Sequence, residues 1–497
     1  MKTRGLFLSA LMMGAVMAGC SNEEVLDDIH VEKKNGQKES YMAINIVAPD
    51  ATVSRAAEDG GFAVGSSEEN AVKNLVLVFF DKNGNFYDAQ DRNDFTWNDT
   101  DSSNPETEKT SNVVVVFENS EKPASFVALL NTGKSASAYE NKSLEQIKAE
   151  VSDYYKKIDG TNYFVMSNSV YKNDKGNVVA AAPISDEMIC SSKKAAQENP
   201  AIAYVERVAV KLEATAKAST TMIGKEVILN GQKTTLTPSI TGIKFVHTNP
   251  ESYLLKNING LSQPFTNWNS IANFRSYWAN SYEPDYYNTY SYKEVVANGA
   301  ESVVEYANEN TSGTLNSTKL LVTASISATA NGTPVDIYKY KGYYYTEQGL
   351  KDEIGQILKN KNLVYNLGSE TGDNWAAYIT VTHPEGVENW QGVIGITNDI
   401  TVTSEVQAEI AKLDKVYWWN DGKCYFYVPV EHLGGLDGVV RNHWYQIAVN
   451  SVSGLGTPVA DENDPIDPEK IEDETYYVAA QVKILKWKVV SQSVDLK

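Results

Sequence analysis

YYVAAQVKILKWKVVSQSVDLK, residues 476–497, is rich in Val, Ile, Tyr and Trp and contains neither Gly nor Pro. It reads as strand throughout, but the phase of its alternation changes. Tyr476, Val478, Ala480, Val482 and Ile484 form one apolar face, and Leu485, Trp487 and Val489 carry the apolar role on the opposite parity. Val490, Val494 and Leu496 then switch parity again. A strand has period two, so each switch moves the buried face to the other side of the sheet. One continuous strand cannot satisfy both faces without a bulge. The simpler reading is two strands in series, the second running from Val490 to Leu496. Chain ends are poorly ordered unless something ties them down. The second strand therefore needs a sheet edge to join, and that edge can belong to another molecule.

The chain has 497 residues, which predicts two or three domains at roughly 100–200 residues each. Its 64 acidic and 44 basic residues give a net charge of −20. That balance opposes nucleic-acid binding, which needs a basic face to meet phosphate. It suits a solvated, exported protein.

The opening residues support export. Lys2 and Arg4 form a positive region, and Leu6 to Ala18 is apolar but too short to span a bilayer as a helix. The run ends Met17-Ala18-Gly19-Cys20, small residues before a Cys, like a lipobox that makes Cys20 the lipidated first residue. Of the 3 cysteines only Cys190 and Cys424 then remain, too few for a disulfide framework; both are read as buried small hydrophobes.

Asp27 to Ser40 is a polar tether. In Tyr41 to Ala48, Met42, Ile44, Ile46 and Ala48 share one face, so this segment is a strand, ended by Pro49-Asp50. The small-residue segment after it holds Arg55, the only Arg between Arg4 and Arg92. An exposed loop with a single Arg, between a tethered strand and the globular part, is where a trypsin-like protease would cut.

Further along, Val72 to Phe80, Val113 to Phe117 and Ser125 to Leu130 read as buried strands. Asp81 to Asn85 is a turn with an Asn-Gly pair. Ser143 to Tyr155 carries apolar residues at helical spacing behind a Ser143/Gln146 capping box. The small, polar Ala214 to Thr221 reads as a linker and places the domain boundary. Beyond it, Ser239 to His247, Lys319 to Ser327, Asp336 to Tyr345, Ala377 to Thr382, Val416 to Val430 and Trp444 to Asn450 are strand-like. Leu350, Ile354 and Leu358 mark a helix behind Thr346. Asn257 to Tyr306 is an irregular, Tyr- and Trp-rich excursion: a loop pinned by aromatic rings, or a sugar- or partner-binding surface. Asp461 to Thr475 is an acidic loop. Many short strands with turn signals predict β-sandwiches with a little helix.

Catalytic and metal motifs are weak. No two of His30, His247, His383, His432 and His443 have the i, i+4 spacing of a zinc helix. There is no P-loop and no G-x-S-x-G. Gly454-Leu455-Gly456 lacks the third Gly of a dinucleotide fingerprint. Ser191 and Lys194 match only the loose S-x-x-K pattern. No catalytic residue, metal site, cofactor or enzymatic activity is expected.

Several stretches together resemble a known family: FVMSNSVY (164–171), YVERVAVKLE (204–213), FRSYWA (274–279), YANENT (306–311), GVVRNHWYQIAVNSVSGLGTPV (438–459) and WKVVSQSVDL (487–496). The chain resembles the minor fimbrillins, shaft subunits of the type V pili of Gram-negative anaerobes. The resemblance implies a mainly β fold of two transthyretin-like β-sandwich domains with a few short helices and long loops. It also implies export as a lipoprotein anchored in the outer membrane through Cys20. An Arg-specific protease then cuts between Arg55 and Ala56. The strand carrying Met42, Ile44 and Ile46 is lost, and the donor strand with Val490, Val494 and Leu496 enters the vacated groove of the next copy. The expected organisation is 1–19 signal peptide, 20–55 lipidated propeptide, 56–216 and 217–489 sandwich domains, and 490–497 donor strand. The expected partners are further copies head-to-tail, accessory anchor and tip pilins, and the processing protease. The alternatives are a surface glycan-binding lipoprotein and a pilus anchor or tip subunit.

Overall fold

A computed structural model of the chain describes residues 40–49, 65–92, 98–99, 107–118, 121–173, 175–216, 219–260, 278–329, 332–432, 436–466, 477–485 and 490–493. The fold is mainly β, with a few short helices.

The N-terminal sheet begins with β1 (Ser40–Pro49). It continues with β2 (Leu75–Phe80), β3 (Phe86–Arg92), β4 (Asn98–Asp99), β5 (Thr107–Phe117) and β6 (Ser125–Leu130). Helix α1 (Leu144–Lys148), β7 (Met166–Asn168), helix α2 (Lys193–Glu198) and β8 (Ala201–Arg207) follow. The strand order is β3-β2-β6-β7-β8-β1-β5-β4. β2 is buried on both faces: Leu75, Leu77 and Phe79 enter one core, Val76, Val78 and Phe80 the other. The sheet curls until its two ends meet. From β3, Gln90 donates to the Val116 carbonyl at 3.0 Å and Arg92 to the Val114 carbonyl at 2.7 Å, both on β5. Phe79 and Phe117 meet edge-to-face inside, with centroids 5.0 Å apart.

The predicted helix over 143–155 is a single turn. Its capping box forms as expected, with Ser143 Oγ accepting from Gln146 N and Gln146 Oε1 accepting from Ser143 N. Beyond it, Tyr155 pairs with Phe164 in a hairpin, and the Tyr154 ring stacks on Phe164. Tertiary ring packing overrides the helical spacing of Val151 and Tyr154.

The chain passes from the N-terminal sheet to the C-terminal sheets at Val208, upstream of the 214–221 segment. β9 (Ala209–Thr215) already pairs within the C-terminal sheets. These contain β10 (Lys225–Leu229), β11 (Gln232–Val246), α3 (Tyr292–Asn298), β12 (Ser302–Asn308) and β13 (Lys319–Ser327). Next come β14 (Ile337–Tyr340), β15 (Tyr343–Tyr345), α4 (Glu347–Asn360), β16 (Ile379–Thr382), β17 (Gln391–Ile396) and α5 (Ser404–Ile410). β18 (Val416–Trp419), β19 (Lys423–Pro429), β20 (Trp444–Ser453), β21 (Thr457–Pro458), β22 (Tyr477–Leu485) and β23 (Val490–Ser493) complete the set.

One sheet has the order β12-β9-β20-β22-β23, the other β16-β17-β18-β14-β15-β10-β11-β13-β19-β21. Leu212, Phe245, Val322, Phe426 and Ile447 fill the core between them. The far end of the longer sheet, with α4 and α5, encloses its own core around Leu350, Ile354, Leu358 and Trp375. α4 matches the helix read from the sequence, and Thr346 Oγ1 caps it by accepting from Gly349 N. β11 bulges between Ile240 and Gly242. Gly242 is required there, because a Cβ would lie 2.4 Å from the Val295 carbonyl oxygen of α3.

The terminal stretch forms two strands. β22 runs antiparallel to β20, and β23 folds back antiparallel onto β22, with Ile484 opposite Val490 and Gln481 opposite Ser493. Within the aromatic excursion, residues 278–291 are mostly pinned inward. Tyr282 packs on Tyr253, Tyr287 on His247, and Tyr290 beneath Lys244; of these tyrosines Tyr286 stands out, 75% exposed. No helix among the described residues is long and apolar enough to cross a membrane.

Candidate functional site: the slot that holds the first strand

β1 is an interior strand, not an edge. It pairs antiparallel with β5, Met42 opposite Val115 and Ile44 opposite Val113. It pairs parallel with β8, Ile44 opposite Ala201 and Ile46 opposite Ala203. Alternation sends Met42, Ile44 and Ile46 to the same face, and all three are 0% exposed among Leu77, Phe79 and Phe126. Ala43, on the opposite face, is also buried, and α2 packs against β1. The start of the strand is fixed by a two-way bridge: Tyr41 N donates to the Cys190 carbonyl and Cys190 N to the Tyr41 carbonyl, each at 2.8 Å.

The fit of β1 is not complete. Asn45 Oδ1 on β1 and Ser111 Oγ on β5 are buried and find no hydrogen-bond partner among the described residues. Each such group costs about 1–3 kcal/mol. The slot is thus apolar and well matched on one face, and under-satisfied at these polar atoms.

The segment that follows the connection, from Gly65, is clamped to the C-terminal domain. Ser66 N donates to Glu69 Oε2, and Glu69 N to Ser66 Oγ. The Glu69 carboxylate, 2% exposed, takes the Lys211 ammonium at 2.8 Å and the Tyr306 hydroxyl. Burial opposes ionisation of Glu69. The hydrogen bonds from Lys211, Tyr306 and Ser66 outweigh it and hold the carboxyl below its ordinary value of 4.5. Arg207 Nε donates to the Glu69 carbonyl at 2.8 Å, and its Nη2 to Asn70 Oδ1. A second staple is the fully buried Arg441–Glu309 pair at 3.2 Å. Arg441 also donates to the Leu254 and Tyr253 carbonyls, and Leu254 itself sits in an N-terminal core. A third is the Lys256–Glu206 pair at 3.1 Å.

Of the residues singled out from sequence, Met42, Ile44 and Ile46 come together in one core. Val490 lies on β23. Cys20, Arg55, Ala56, Val494 and Leu496 lie outside the described residues. Cys424 is fully buried, whereas Cys190, read as buried, is half-buried at the mouth of the slot. Its position there follows from its backbone bridge to Tyr41 rather than from packing of its thiol. The structure also brings together His432 and His443, rings edge-to-face at 4.8 Å, beside the buried Tyr445. Tyr445 Oη accepts from Val440 N at 2.8 Å, so the group braces the 438–445 segment. Among the described residues, no three His, Cys, Asp or Glu side chains cluster as metal ligands.

The fold and slot define a mainly β protein with a strand-filled interior groove. Residues 418–493 match the family described as "Major fimbrial subunit protein type IV, Fimbrillin, C-terminal", in agreement with the resemblance read from 438–459 and 487–496. No curated protein matches the sequence. Among solved structures, a putative cell adhesion protein from Bacteroides eggerthii is similar at 10% identity, covering 90% of this chain and 97% of its own, with a TM-score of 0.34. The tip fimbrial protein Mfa3 from Porphyromonas gingivalis, with C-terminal truncation, is similar at 10% identity over 89% and 99%, TM-score 0.31. A fimbrial assembly protein from Parabacteroides distasonis is similar at 11% identity over 59% and 84%, TM-score 0.31.

Proposed function

We propose that the chain is a fimbrillin, a structural subunit of a type V cell-surface fimbria that serves adhesion and biofilm formation. It is exported as a lipoprotein on Cys20, cut after Arg55, and polymerised by strand exchange. The observation that carries this reading is the interior position of β1, upstream of Arg55, with Met42, Ile44 and Ile46 wholly buried. Each of these side chains contributes roughly 1.5–3 kcal/mol by burial. Losing β1 would uncover their pocket and two rows of backbone groups, on β5 and on β8. A slot open on both sides favours any strand of alternating apolar pattern. Val490, Val494 and Leu496 of another copy supply that pattern. The contact is head-to-tail, so it propagates into a filament rather than closing. Accessory anchor and tip pilins would start and end such a filament.

The clamp at Glu69 and Asn70 supports the same reading. It holds the chain downstream of the cut, so cleavage frees β1 without loosening the segment from Gly65 onward. In cis, β23 rests on β22, and it must leave that position to reach a neighbour. Deleting residues 490–497 tests the reading: the protein should still be secreted and cut, but remain monomeric. Normal polymerisation of the deleted form would contradict it.

A further inference from the structure

The side-chain pattern of β1 occurs twice in the chain. β1 carries Ser40-Tyr41-Met42-Ala43-Ile44-Asn45-Ile46, and residues 490–496 read Val-Ser-Gln-Ser-Val-Asp-Leu. With Val490 set over Ser40 in the same direction, Ser493 falls on Ala43, Val494 on Ile44, Asp495 on Asn45 and Leu496 on Ile46. These are near-isosteric exchanges, the kind a packed site tolerates best. Gln492 falls on Met42, an unbranched side chain of similar length. The slot shows what each position demands. Met42, Ile44 and Ile46 are 0% exposed in one core, Ala43 is 3% exposed on the other face, and Asn45 is half-buried. Ser40 lies opposite the buried Phe117, so a Val in its place extends the apolar face by one residue.

We infer that the strand received from the next copy enters in the direction and register of β1. Gln492 to Leu496 take the places of Met42 to Ile46, antiparallel to β5 and parallel to β8. This arrangement rests on the strand exchange proposed above and adds its direction and pairing. The reversed direction would put Leu496 in the place of Met42 and Gln492 in that of Ile46, opposite Ser111, whose buried Oγ has no partner among the described residues. That gain is outweighed on the other face, where Asp495 would replace the buried Ala43. A carboxylate buried without a partner costs far more than an amide. In the direction of β1, Asp495 instead takes the half-buried place of Asn45, beside the exposed Asn112 of β5 and Ile202 of β8. Sliding the segment two residues toward Ile46 would put the Gln492 amide at the place of Ile44, in the middle of the core. Gln492 and Val494 bury less apolar surface than Met42 and Ile44, so a tethered β1 outcompetes the incoming strand until the cut removes its advantage.

Cys190 supplies the test. It is bridged to Tyr41 by backbone hydrogen bonds in both directions, and residues paired in this way lie at a separation that a disulfide can span. In the direction of β1, Ser491 takes the place of Tyr41; in the reversed direction Lys497 does. Oxidised, sheared filaments of the Ser491→Cys chain should run as a disulfide-linked ladder on a denaturing, non-reducing gel. Those of the Lys497→Cys chain should run as single subunits, and adding Cys190→Ser to Ser491→Cys should abolish the ladder. A ladder from Lys497→Cys would overturn the proposed direction and leave strand exchange standing. No ladder from either variant, in filaments whose subunits begin at Ala56, would overturn the pairing. Filaments whose subunits keep residues 41–48 would overturn strand exchange and the pairing together.

Discussion

Ile44 shows how much one side chain of β1 holds. It is fully buried, facing Val113 on one neighbour and Ala201 on the other. Ile44→Ala in the uncleaved precursor should cost about 2–5 kcal/mol, read as a lowered denaturant midpoint at unchanged slope. Asn45 works in the other direction, since its Oδ1 is buried with no hydrogen-bond partner among the described residues. Asn45→Val should stabilise the precursor by about 1 kcal/mol and slow the loss of β1 after the cut. Arg441 is the clearest single link between the domains. Arg441→Met leaves Glu309 charged and buried, and should destabilise by roughly 3–5 kcal/mol, whereas replacing both residues should cost less. Glu69 sets a pH limit. Its folded carboxyl titrates below the ordinary value of 4.5, so its contribution is fully present above that value. It is lost as pH falls through the lower folded value. Acid unfolding of Glu69→Gln should therefore depend less on pH below about 4.5 than that of the parent. These charged links were not legible in the sequence. Arg207 reads there as one strand residue among others, and nothing nearby indicates that Glu69 lies against it.

At the level of elements, the apolar runs were readable because each feeds a core directly. β2 is apolar at every position since both its faces are covered. β1 was readable from alternation alone. Its place between β5 and β8 was not, because a parallel pair joins segments about 150 residues apart and leaves no local mark. The 143–155 helix shortened because Tyr154 and Tyr155 gain more from ring packing against Phe164 and the hairpin than from another helical turn. The parity switch in residues 476–497 did report two strands, and β23 pairs back on β22. At the bulge of β11, Gly242→Ala drives a Cβ into the α3 backbone. It should destabilise by roughly 1–3 kcal/mol, measurable as a lowered melting temperature.

Across the whole molecule, two β-rich units are joined by three buried polar clusters: Glu69 with Lys211 and Tyr306, Glu206 with Lys256, and Arg441, paired with Glu309, donating to the Tyr253 and Leu254 carbonyls. A subunit under load along a filament needs such a link, since exposed ion pairs would contribute little. The groove lies in the N-terminal unit, while the strand proposed to fill a neighbour's groove leaves from the C-terminal one. A rigid link between them would fix the distance from slot to strand and set a constant repeat. In the proposed assembly β1 is absent and its slot is refilled in trans. Mass-spectrometric sequencing of the N-termini of sheared surface filaments tests it most directly. Strand exchange after cleavage predicts subunits beginning at Ala56, with no peptide from Tyr41 to Ala48. Filaments whose subunits keep that strand, or still carry a lipid on Cys20, would contradict it.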